Sequence, residues 1–368
     1  MSKRLQGLDL YRIIGCAFVI INHCNSKVLL QVTPGSLAWY VTVGVIYLSK
    51  ITVPGFFMIT GYNLLHRKDD RATYFKRIVR IVGVLVVFSI FYYLWRNGLN
   101  GSIGDFLRTL WHDGATDAFW YLYTYLGLMV MMPLFQWAAG AFDGPKADDA
   151  GEAGAPQSDA SAKAAPDRRR LLVMILLAAS VYVSLMPSVC ILVPSFTMNE
   201  YFELPMIGCA VMYLFIGHAF YLYRDEIRAG KGVQVKNLRL TAAFFAAFAV
   251  NIALAMAEKS ITGGVSFTSF SEIHTVGMLA ESLAAFAFLV KIRGEGLGGK
   301  LIGFVAPATF GIYLLADFVC SSTHMLYYNL CQYMNRLLAV AVQDIVAFAI
   351  ALAVVTLLRL IPPVKKWI

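Results

Sequence analysis

Apolar residues along this chain come in long runs, with polar residues gathered in the short stretches between them. Ten runs predict helices, near residues 9–29, 45–65, 78–97, 118–139, 171–190, 204–223, 238–257, 274–291, 302–323 and 337–361. Several reach roughly 18–22 residues, enough for a helix to cross a hydrocarbon core of about 30 Å. They lack the period-2 alternation of a membrane barrel and are about twice as long as barrel strands. The pattern predicts an all-α fold, a polytopic membrane bundle of about ten transmembrane helices. Residues 37–49 are a separate expectation, a short interfacial helix, because Lys50 interrupts the apolar run there.

Composition agrees with a membrane class. Of 368 residues, 59% are hydrophobic and 14% charged, against about 25% charged in soluble domains. The chain is expected to form a single membrane domain over 1–368. Within it, "DGPKADDAGEAGAPQSDASAKAAPD" (143–167) is rich in Ala, Gly, Pro and Asp and has no aromatic residue. Such a segment buries too little surface to fold and is expected to be a disordered loop.

Lys and Arg placement sets the orientation. With ten spans, 24 of the 31 basic residues fall on the side of the termini and 6 on the other, with Arg12 inside the first span. Both termini are therefore expected in the cytoplasm, together with the 143–167 loop. This distribution accounts for the net charge of +9 through anionic lipid headgroups, without nucleic acid. Lys3 and Arg4 precede an apolar run, as in a signal peptide, but charges lie inside the run and no small-x-small site follows, so the first helix is expected to be retained. The six cysteines have no metal-ligand spacing, and no metal site is expected. Cys190 and Cys331 fall near outer span ends and could pair; buried free thiols are the commoner use.

The first run reads "LDLYRIIGCAFVIINHCN" (8–25) and holds Asp9, Arg12 and His23. Ionisable groups inside a membrane helix are costly and mark candidate sites. Eleven residues separate Arg12 from His23, about three helical turns plus about 20°, so the two share a helix face about 16 Å apart. With the hydrocarbon starting near Leu8, Arg12 lies about 6 Å deep and His23 about 22 Å deep. Asp9 stands one turn before Arg12, as an i,i+3 partner. A snorkelling Arg12 and a hydrogen-bonded His23 explain each residue singly just as well. In "YFKRIVRIVGVL", Arg77 and Arg80 also share a face. Positive-inside anchoring accounts for Arg77 and less well for Arg80, which is already in the apolar run. Three guanidiniums at similar depth suit a phosphate, which Arg grips with a fork of donors. A transporter or flippase using Arg12 and His23 as a substrate or proton pathway is the alternative.

The set of motifs resembles acyltransferase family 3, integral-membrane enzymes that acylate surface glycans and other envelope molecules. "GLDLYRIIGCAFVIINH" resembles the family's opening, with its Arg-x10-His pair at Arg12 and His23. "VPGFFMITGYNLL" (53–65) resembles its FFxxSGY segment, with Thr60 for Ser. "FKRIVRI" carries the Arg-x-x-Arg pair, "FWYLYTYLGLMVMMPLF" (119–135) resembles the WFLY…P helix, and "FGIYLLADF" (310–318) the IYLxH segment. Two family histidines are missing: Ala118 and Ala316 stand in their places, Ala316 beside Asp317.

The resemblance implies a cytosolic acyl-CoA donor, with acetyl the commonest acyl group, and an envelope saccharide or lipid-linked acceptor. It implies phosphate contacts from Arg12, Arg77 and Arg80, and His23 as base or acyl carrier. Tyr62, Trp120, Asp9 and Asp317 are expected in supporting roles, with close packing at Gly61. The expected location is the bacterial cytoplasmic membrane, multi-pass.

Overall fold

The computed structural model describes residues 6–143, 159–196, 206–229, 237–261, 269–292 and 296–368, and its regular elements are all helical. In chain order the α-helices are α1 (Gln6–Leu29), α2 (Leu37–Lys50), α3 (Thr52–Leu64), α4 (Arg71–Asn97), α5 (Ile103–Arg108) and α6 (Trp120–Val130). Next come α7 (Met132–Gly140), α8 (Asp159–Ser180), α9 (Met186–Leu192), α10 (Met206–Leu222), α11 (Arg224–Ala229) and α12 (Asn237–Ile261). The last are α13 (Val276–Val290), α14 (Gly296–Val305), α15 (Thr309–Ser322), α16 (His324–Leu330), α17 (Arg336–Leu358) and α18 (Pro362–Lys365). Most of the low-complexity stretch, 144–158, lies outside the described residues, and helix α8 begins at Asp159.

Among the described residues, 8 helical runs are long and apolar enough to cross a membrane, or 9 with the bent α6–α7 pair as one span. The protein is thus a polytopic membrane protein. The count differs from ten at identifiable places. Residues 118–139 are not one straight helix: the axis turns by 59° between α6 and α7. Pro133, in the first turn of α7, removes a donor and ends the α6 ladder. The 204–223 run appears as α10, a helix of 17 residues, shorter than a typical span. The expected break at Lys50 is only a joint. α2 and α3 abut at Ile51 and make one apolar run, Leu37–Leu64, of 28 residues.

The chain divides into two compact units, 1–53 with 74–126 and 285–368, and 54–73 with 127–284. In the first unit α1 is central. Tyr11 donates to the Ile51 carbonyl at 3.0 Å, and the Cys16 thiol meets the Thr309 carbonyl at 3.1 Å. A Cβ on Gly7 would overlap the Leu289 carbonyl, and one on Gly311 the Val355 side chain, so α1 and α15 lie against their neighbours at glycine distance.

The second unit is built around a reciprocal glycine contact. A Cβ on Gly61 of α3 would overlap the Leu214 carbonyl of α10, and one on Gly217 of α10 would overlap the Met58 carbonyl of α3. Helix association in lipid relies on such close packing because lipid is as apolar as the side chains. The obstructing atoms are backbone on both sides and cannot rotate away. Gly61→Ala or Gly217→Ala is therefore expected to destabilise the protein by roughly 1–3 kcal/mol, seen as a lowered thermal midpoint in detergent. An unchanged midpoint in both variants would refute the contact.

Candidate functional site

Helix α1 runs without a break from Gln6 to Leu29, so Arg12 and His23 share one face, about 16 Å apart along the axis. The Arg12 Nη1 donates to Asp9 Oδ1 at 2.8 Å, with the Asp9 side chain 7% exposed and that of Arg12 32%. The pair neutralises Asp9 and leaves part of the guanidinium accessible.

Around Arg12 the first unit assembles a series of rings. Tyr121 of α6 interacts electrostatically with Arg12. Its ring stacks on Tyr125 at 6.0 Å and meets Tyr313 edge-on at 5.6 Å. Tyr313 in turn lies parallel to Phe310 at 6.5 Å, and the Arg80 guanidinium stands 5.9 Å from the Phe310 centroid. Arg12 and Arg80, 68 positions apart in the numbering, thus border one aromatic series. Arg80 also has a partner that its motif does not reveal: Nε and Nη2 both donate to the Trp367 carbonyl, at 3.1 and 3.0 Å. Two of its five N–H donors are used in this way. Arg77, one turn earlier on α4, is half-buried.

At the other end, His23 is half-buried. The carboxylates that act on its imidazole are Asp317 and Asp117, and the ammonium groups are Lys27 and Lys50. Asp317 is held in place: Oδ2 accepts from Thr116 Oγ1 at 2.9 Å and from Arg96 Nη2 at 3.1 Å. The adjoining backbone is pinned by Tyr92, which donates to the Leu314 carbonyl and accepts from the Phe318 N–H, both at 3.1 Å. The two alanines that replace family histidines flank this contact. Ala316 precedes Asp317, and Ala118 lies two residues after Thr116, its carbonyl accepting from the Tyr313 hydroxyl at 2.6 Å.

The structure therefore places Asp9, Arg12, His23, Arg80 and Asp317 on helices of one unit, with Asp317 acting on His23. Trp120 is exposed, its ring edge-on to Tyr121. Tyr62 belongs to the second unit, edge-on to Tyr221 at 5.5 Å. Sequence reasoning missed Asp117, Arg96 and Thr116, which line the ends of spans and look like solvated termini. It also missed Asp344 of α17, whose Oδ2 accepts from Asn25 Nδ2 of α1 at 3.2 Å; an Asp inside an apolar run was the available signal. All six cysteines are free thiols. Among the described residues no group of three or more His, Cys, Asp or Glu side chains is placed to hold a metal ion.

Residues 5–360 match the family model described as an acyltransferase domain. The chain belongs to acyltransferase family 3. The match covers both units. A segment of 132 residues is 30% identical to an amino-acid racemase of Enterococcus faecalis, covering 33% of this chain and 18% of that protein. The chain thus spans less than a fifth of the length of this relative. No solved structure matches the chain.

The influence of Asp317 on His23 can be tested directly. Asp317→Asn keeps the shape and an acceptor for Thr116 but removes the charge that acts on His23. Acyl transfer is expected to fall by about tenfold or more, with a thermal midpoint close to the parent's. Parental turnover in the variant would show that this carboxylate does not act on the reaction.

Proposed function

We propose that this acyltransferase moves an acyl group, acetyl in the commonest family usage, from cytosolic acyl-CoA to a hydroxyl of an envelope saccharide or lipid-linked precursor. The observation that carries this reading is the single unbroken helix that holds a phosphate-suited guanidinium at one depth and, about 16 Å further along, an imidazole that feels the charges of Asp317 and Asp117. Arg12, Arg77 and the remaining donors of Arg80 bind the phosphates of CoA. The flexible arm of the donor follows the face of α1 and brings the thioester to His23.

His23 then acts as general base, a role suited to an imidazole near neutral pH. It takes the proton of the acceptor hydroxyl as the oxygen attacks the thioester carbonyl. The new C–O bond forms, the C–S bond breaks, and the imidazolium returns the proton to the departing CoA thiolate. Asp317 and Asp117 lower the cost of the transient imidazolium, as a buried carboxylate does in a catalytic triad. The alternative step, in which His23 itself carries the acyl group, leaves the same residues in place.

The topology that serves this chemistry has ten crossings, α10 and the bent α6–α7 pair included, with both termini and the 143–167 segment in the cytoplasm. It rests on the excess of Lys and Arg on that side. A cysteine introduced as Ser158→Cys, in a background without Cys190 and Cys331, is expected to resist an impermeant thiol reagent in intact cells and to react after permeabilisation. Labelling in intact cells would reverse the orientation and the direction of acyl flow.

The alignment on α1 yields a second test. His23→Ala is expected to abolish transfer while acyl-CoA still binds. Arg12→Ala and Arg77→Ala are each expected to weaken acyl-CoA binding by about ten- to a hundredfold, the equivalent of a charge-assisted contact worth roughly 1.5–3 kcal/mol. One residue inserted after Ala17 turns His23 by about 100° away from Arg12 and moves it only about 1.5 Å, so activity should be lost with both side chains present. Full activity of the inserted protein, with its amount in the membrane verified, would remove the aligned pair from the mechanism.

A further inference from the structure

Lys27 is the basic residue in the last turn of α1, and the acyl-transfer steps above do not use it. It stands four positions after His23, so the two side chains share a helix face one turn apart. The Cα–Cβ bonds of a helix lean toward its N-terminus, which tips the Lys27 stem back over the turn that carries His23. Lys27 Nζ donates to Ser321 Oγ of α15 at 3.1 Å, and both residues are half-buried. An ammonium that only anchored the end of a span would turn out to headgroups and water; this one is held against a neighbouring helix.

The bond repeats, one turn further along, the relation between His23 and Asp317. Asp317 of α15 acts on His23, and Ser321 follows Asp317 by four positions as Lys27 follows His23. Each α15 residue lies 294 positions after the α1 residue that it engages. Helices α1 and α15 therefore meet at two successive turns, both within the first unit. Ser321 gives Lys27 a neutral acceptor, so the ammonium charge is not cancelled by this bond, and two of its three N–H donors remain. The other nearby cations are placed less well. Arg96 is closed on Asp317, and Lys50, the last residue of α2, acts on His23 more weakly than Lys27 does.

We infer that Lys27 is a further catalytic residue, whose ammonium stabilises the oxyanion of the tetrahedral intermediate, and that Ser321 is the residue that positions it; this role rests on the acyl-transfer function proposed above. The acceptor hydroxyl lies about 3 Å from the imidazole that takes its proton. As its oxygen bonds to the thioester carbonyl carbon, the carbonyl π pair moves onto the carbonyl oxygen and the hydroxyl proton onto His23. The oxyanion so formed is two bonds from an oxygen in contact with the imidazole, within reach of a long side chain one helical turn away. When it collapses, the C=O bond re-forms, the C–S bond breaks, and the CoA thiolate takes the proton from His23. Asp317 and Asp117 oppose an oxyanion and serve the imidazolium instead. A fixed cation aimed at the place where negative charge develops is worth far more in a site from which water is excluded than in water.

The test uses the full-length protein in membranes, with radiolabelled acetyl-CoA as donor and the host's own envelope fraction as acceptor probe. Lys27→Gln is expected to lower kcat by at least about a hundredfold, with the half-saturating concentrations of acetyl-CoA and envelope fraction unchanged and the thermal midpoint near the parent's. Lys27→Arg, which keeps the charge, is expected to recover at least about tenfold of that loss. Ser321→Ala is expected to lower kcat by about tenfold, and the double variant Lys27→Gln/Ser321→Ala to be no slower than Lys27→Gln alone, because the hydroxyl acts through the ammonium. If Lys27→Gln does not fold, the small deletion in Ser321→Ala decides the matter. Parental kcat in the folded Lys27→Gln or, where that variant does not fold, in Ser321→Ala would overturn the role. So would a loss confined to the half-saturating acetyl-CoA concentration, or an Arg variant as slow as the Gln variant. A parent that transfers no label at all would overturn the acyl-transfer function itself and this role with it, an outcome distinct from parental rates in the variants.

Discussion

A charged or strongly polar side chain placed inside the hydrocarbon has to find its partner among the helices, because neither water nor lipid will supply one. Much of the polar architecture of this protein is an answer to that constraint. Arg12 closes on Asp9 one turn away. Asp317 takes both Thr116 and Arg96. Asp344 takes the amide of Asn25. Each contact costs ordering entropy and repays it by cancelling a desolvated group, and each also fixes the rotation of the helix that carries it.

The same constraint gives α1 its place in the first unit. It carries several polar groups within its apolar run, and α15 and α17 supply carbonyls or side chains to it at several levels. The Thr309 carbonyl meets Cys16, the Ser321 hydroxyl meets Lys27, and Asp344 meets Asn25. Gly7 lets α1 approach the Leu289 carbonyl of α13, and Gly311 lets α15 approach Val355 of α17. The rotation of α1 is then set by packing on several sides, so that Arg12 and His23 face one way with little freedom. For the proposed acyl-CoA donor, such a face would separate the phosphates at one end from the thioester at the other.

Arg80 shows how a guanidinium can be fixed by packing. Its guanidinium holds the Trp367 carbonyl with two donors and lies over Phe310, while the Trp367 ring fills the space left by Gly83. The fork is thereby held in one orientation, which would reduce the entropy lost on binding the proposed phosphate.

Local information in the chain was enough to determine the membrane class, the all-helical fold and the common face of Arg12 and His23. Apolar run length sets the first two, and helical periodicity sets the third whatever the neighbours do. The Asp9–Arg12 pair is equally local, one turn of one helix. The apolar runs 118–139 and 171–190 each read as a single span, and the bend at Pro133 and the π turn before Pro187 emerged only in the structure. Tertiary structure alone decided which groups surround His23. Asp317 lies 294 positions away in the numbering, and no periodicity relates the two. It also decided that Arg80 would be bound to Trp367, that Tyr62 would belong to the second unit, and that Asn251 and Glu281 would meet. The physical reason is the same in each case: a helix dictates its own faces, but the partner that satisfies a buried polar group is chosen by packing between segments distant in the chain.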